Sequence, residues 1–69
     1  MSNSVELKRQ IRILKENISD VEEDLQKRTQ ILKDNPLDDF YIVSVRNTGA
    51  YLKELQERLA LYEKQLKGE

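Results

Sequence analysis

The sequence predicts an all-α protein: an antiparallel, coiled-coil-like two-helix hairpin that assembles into a homo-oligomeric helical bundle. Three observations point there. Apolar residues recur at alternating spacings of three and four along most of the 69 residues, the mark of helices that bury one stripe. The only proline, Pro36, falls between two such series. The apolar residues just after it are too many, and too evenly spread around a helix, for one stripe to bury.

The first helix is expected over about residues 4–34. Asn3 or Ser4 suits the cap, and Glu6 follows Asn3 at the spacing of a capping box. Leu7, Ile11, Leu14, Ile18, Val21, Leu25 and Leu32 then form a heptad seam, with Arg28 in an otherwise apolar slot. No Gly or Pro interrupts it. At the turn, Asn35 reads as an N-cap and Pro36 as a first helical residue, with Asp38 and Asp39 in the positively polarised first turn. The second helix is therefore expected over about 36–67, leaving a turn near residue 35. So short a connection makes the helices antiparallel neighbours. The whole reads as one domain, residues 1–69, complete from its own Met1.

The second seam is Tyr41, Val45, Thr48, Leu52, Leu55, Leu59, Tyr62 and Leu66. Folding at Pro36 pairs Leu32 with Tyr41, Arg28 with Val45, Leu25 with Thr48 and Val21 with Leu52. It also pairs Ile18 with Leu55, Leu14 with Leu59, Ile11 with Tyr62, and Leu7 with Leu66. One register satisfies every layer, and it brings Lys8 near Glu63. The segment FYIVSV (40–45) has strand propensity, and the NTG after it resembles a turn. An intermolecular strand there is the competing reading, but the helix-start residues before it and the unbroken register across it favour helix.

Within VSVRNTGAYL the regular seam breaks. Arg28 and Thr48 are its polar members, in adjacent layers, and Gly49 costs about 1 kcal/mol in a helix relative to Ala. Close packing is one explanation: Gly49 and Ala50 admit another helix while Thr48 bonds back to a carbonyl one turn earlier. The other is a polar pocket between subunits, with Arg28 and Arg46 as anion donors, Asn47 and Thr48 as hydrogen-bonding groups, and Tyr51 as a platform. Packing is favoured, so a methyl group added at Gly49 is expected to clash. Leu37, Phe40, Ile42 and Val43 lie around the helix beside this stretch, and with Gly49 and Ala50 they form the expected oligomer interface, most simply that of a dimer.

Composition narrows the function classes. There is no Cys, His or Trp, so disulfides, thiol chemistry and the usual zinc sites are excluded. Charged residues make up 36% of the chain yet nearly cancel, to a net −1, which argues against a nucleic-acid or anionic-membrane binder. No Ser/His or Cys/His pair and no phosphate-cradling glycine loop is present. The acidic run Asp20, Glu22, Glu23, Asp24 and the basic run from Lys8 to Lys15 read as solvated faces. The expectation is a non-enzyme without metal or cofactor, in the cytoplasm of a cell or of an infected host cell. It is read as a small oligomeric hairpin that binds, scaffolds or inhibits another protein. The alternative is an oligomer that sequesters a phosphate-bearing small molecule such as a nucleotide, of the kind found among viral or mobile-element proteins.

Overall fold

A computed structural model describes residues 4–68. It consists of two helices packed against each other, α1 (Ser4–Asp34) and α2 (Asp39–Lys67), in a body of 54 × 14 × 13 Å. The expected capping box involves Asn3, which lies outside the described residues. The Glu6 carboxylate accepts from Arg9 Nε at 2.9 Å, one turn along the helix.

Residues 40–45 are helical, which removes the strand reading. Their β-branched side chains disfavour helix only weakly, and packing along a shared register overrides that preference.

The start of α2 differs from expectation. Asn35 does not cap it, and Pro36 is not its first residue. Asn35 instead ends α1: its backbone N–H reaches the Ile31 carbonyl at 3.0 Å, and its side-chain Nδ2 donates to the same oxygen at 3.1 Å. Pro36 follows in a tight turn closed by the Asp38 N–H on the Asn35 carbonyl at 3.1 Å. Asn at the first position and Pro at the second suit such a turn, because Pro presets its backbone angle. Asp38 is the true N-cap, extended (φ −78°, ψ 105°), with its carboxylate accepting from the Tyr41 N–H at 3.3 Å.

The seams lie where the spacing predicts, and the expected register agrees with Ile18 sharing one core with Leu55 and with Arg28 reaching Ser44. Every seam position of both helices is buried or half-buried, and Ile11, Leu14, Ile18 and Leu55 are the buried residues. Leu14, Ile18 and Leu55 form the core, with Val21, Leu52, Leu59 and Tyr62 packed against it. The flanking ion pair is different: Glu63 meets Lys15, at 3.8 Å, rather than Lys8. Lys15 lies on the same flank of α1 one heptad after Lys8, and its long side chain slants along the hairpin to Glu63, a reach that the register of the seams does not fix.

The core sits far from the turn. Near the turn the helices meet through half-buried Arg28, Ser44, Val45 and Thr48, and large apolar side chains are left in solvent.

Candidate functional site

The residues expected to form a pocket fall in three places. Arg28, Asn47 and Thr48 share one shallow groove with Phe40, Val43 and Ser44. Tyr51 lines the neighbouring groove with Asn47, Ala50 and Lys53. Arg46 lines neither: it follows Ile42 by four residues and precedes Gly49 by three, on the other flank of α2.

The Arg28 guanidinium is already engaged. Its Nε donates to Asp24 at 2.9 Å, one turn earlier, and its Nη1 donates to the Ser44 hydroxyl across the hairpin. Its side chain is only 35% exposed, so the aliphatic stem fills the seam slot while the head turns to the rim. Asp24 balances the charge that an anionic ligand would need. Sequence reasoning missed Asp24 and Ser44 as partners, although Asp24 lies four residues before Arg28, the spacing at which helical side chains meet. Arg46 is exposed and makes no ion pair among the described residues. Thr48 makes no bond back to an earlier carbonyl among them.

Gly49 has open space around it. A methyl group built on its Cα meets no atom within 4 Å other than its own helix backbone, so α1 is not the close neighbour that would explain a glycine there.

The apolar residues of the expected interface are exposed: Leu37 at 90%, Phe40 at 67%, with Val43 and Ile42 also open to solvent. Phe40 stands edge-on to Tyr41, with ring centroids 5.1 Å apart; the helix phase puts Tyr41 half-buried in the seam and Phe40 outside it. Ala50 is exposed and Gly49 half-buried. The interface residues divide between two flanks of α2. Phe40, Val43, Asn47 and Ala50 follow one another by three or four residues on one, whereas Ile42 and Gly49, seven apart, share the other with Glu63.

Sequence reasoning also missed Ile13 and Leu61. Both are exposed, and they lie on the Phe40 side of the hairpin. Ile13 shares a groove with Arg58 of α2, and Leu61 follows Arg58 by three residues. The recurrence of 40, 43, 47, 50, 54 and 61 along α2 was the available signal, diluted by Asn47 and Glu54. Among the described residues no cluster of three metal-ligating side chains occurs, and no helix is long and apolar enough to cross a membrane.

No family model, no curated protein and no solved structure matches the chain.

Proposed function

We propose that this chain is a non-enzymatic helical-hairpin interaction module, one that self-associates and in that form binds, scaffolds or inhibits another protein. The observation that carries this reading is the apolar surface left open by the hairpin. Leu37, Phe40, Ile42, Val43 and Ile31 surround its turn end in solvent, whereas among the described residues four apolar side chains are fully buried. A soluble monomer gains nothing from so many large apolar side chains in water at one end, and so small a core is marginal without staples or association. The exposed side chains supply what the core lacks once a second molecule covers them.

The phosphate-sequestering alternative loses support from the same geometry. Arg28 is satisfied by Asp24 and Ser44, and Arg46 stands on another flank. Light scattering at micromolar concentration tests the proposal. The expected mass is a multiple of the 8.2 kDa chain, and a cooperatively melting monomer would refute self-association. A nucleotide or phosphate panel is expected to leave the melting temperature unchanged; a saturable rise would restore the alternative.

A further inference from the structure

We infer that a second copy of this chain docks on the face carrying Ile13, Ile31, Phe40, Val43, Tyr51 and Leu61, with both turns at the same end, closing a four-helix bundle. The inference rests on the self-association proposed above and adds its surface and its sense.

Of the nine large apolar side chains exposed among the described residues, six fall on this face by helical spacing. Two grooves locate them. One brings Arg28 beside Phe40, Val43 and Asn47; the other brings Ile13 beside Arg58. Ile31 follows Arg28 by three residues and Ile13 by five full helical turns, so both isoleucines face the same way. The Lys15–Glu63 ion pair marks the opposite face, toward which Ile42 and Gly49 lie.

The area suits a dimer. The exposed parts of these six residues amount to on the order of 500 Å² per copy, against roughly 800 Å² per partner in a stable complex. The stems of neighbouring polar side chains make up the difference.

Twofold association requires a surface that complements itself. Here it does. Ile31 and Val43 stand within one residue of the same level in the hairpin register, and so do Ile13 and Leu61. A twofold axis along the long direction therefore lays Ile31 of one copy over Val43 of the other, and Ile13 over Leu61. The two apolar bands, about 27 Å apart along the helices, are covered together. Between them the same overlay sets Asp20 of one copy over Glu54 of the other, with Arg58 one helical turn beyond Glu54, so the complementarity of the face lies in its two apolar bands. A reversed stack would set the turn end, with its nearly bare Leu37, against the charged end that carries Arg9 and Lys64. Like ends together keep apolar surface on apolar surface.

The chain has no cysteine, so Leu37→Cys provides one spin label per copy, at the turn. Pulsed electron–electron resonance should find the labels on the order of 20–30 Å apart, the width of two stacked layers plus label arms. A separation near the 54 Å length of the hairpin would overturn the proposed sense. Phe40→Asp and Val43→Asp should reduce the solution mass to that of one chain, while Ile42→Asp, on the other flank, should leave it unchanged. The opposite pattern would overturn the face while leaving self-association intact. A wild-type monomer would instead overturn the functional reading itself. Should the aspartate variants fail to fold, the label distance in the folded Leu37→Cys protein still decides.

Discussion

Replacing Gly49 by alanine adds one methyl group to the middle of α2, and the structure says what that group would meet. Nothing lies within 4 Å of it beyond the local helix backbone, and no glycine among the described residues has positive φ. The clash expected from sequence is therefore absent within the hairpin. What remains is the unfolded state: alanine samples fewer conformations than glycine and loses less entropy on entering a helix. Gly49→Ala should stabilise the protein by about 0.5–1 kcal/mol. For a domain of this size that raises the melting temperature by roughly 2–8 °C. Urea unfolding followed by far-ultraviolet circular dichroism should show a higher midpoint with an unchanged slope. The measurement belongs at two protein concentrations, because association adds to apparent stability by mass action. Destabilisation by ~1–3 kcal/mol would refute the reasoning. It would mean that another chain approaches the backbone on the Ile42 and Gly49 flank, and the face assigned to the second copy would be wrong.

Leu55 is 2% exposed at the centre of the core, so Leu55→Ala should cost ~2–5 kcal/mol, seen as a collapse of the urea midpoint or as loss of helix in buffer. Asp38→Ala removes the cap of α2 and should cost about 1 kcal/mol by thermal melting; an unchanged melting temperature would show that the helix starts elsewhere. Ser44→Ala deletes one bond to Arg28 at a half-buried site and should cost ~0.5–1.5 kcal/mol. Arg28→Ala should cost more than Ser44→Ala in the same melts, since it also removes the stem that fills the seam.

The hairpin and its register were legible because the apolar spacing is redundant. Each seam residue from Leu7 to Leu32 and from Tyr41 to Leu66 repeats the same information, and one polar substitution at Arg28 does not shift the phase. The start of α2 was not legible, because Asn35 and Asp38 are both good caps and Pro36 suits either a first helical turn or a tight turn. Only the path of the chain decides, and it gives Asn35 to the end of α1. The polar site was legible as a cluster of unusual residues but not as an arrangement. Arg46 and Asn47 are adjacent in sequence, yet a helix rotates neighbours by about 100° and sends them to different flanks. The engagement of Arg28 by Asp24 and Ser44 depends on how the two helices are rotated against each other, which periodicity leaves loose.

The placement of the core bears on what the turn does for this molecule. Leu14 and Ile18 meet Leu55 near the middle of the hairpin, about 20 residues from Pro36, so the covalent join lies next to the more loosely packed half. It is therefore a tether rather than a clamp, keeping α2 near α1 at an effective concentration set by the length of chain between contacting residues. Most of that chain is already stiff helix, so closing it depends on the angle at Asn35 to Asp38 more than on the slow logarithmic growth of loop entropy. The turn thus holds the ends of a lever: a small change of angle there becomes a large displacement at Ile11 and Leu55, tens of residues away.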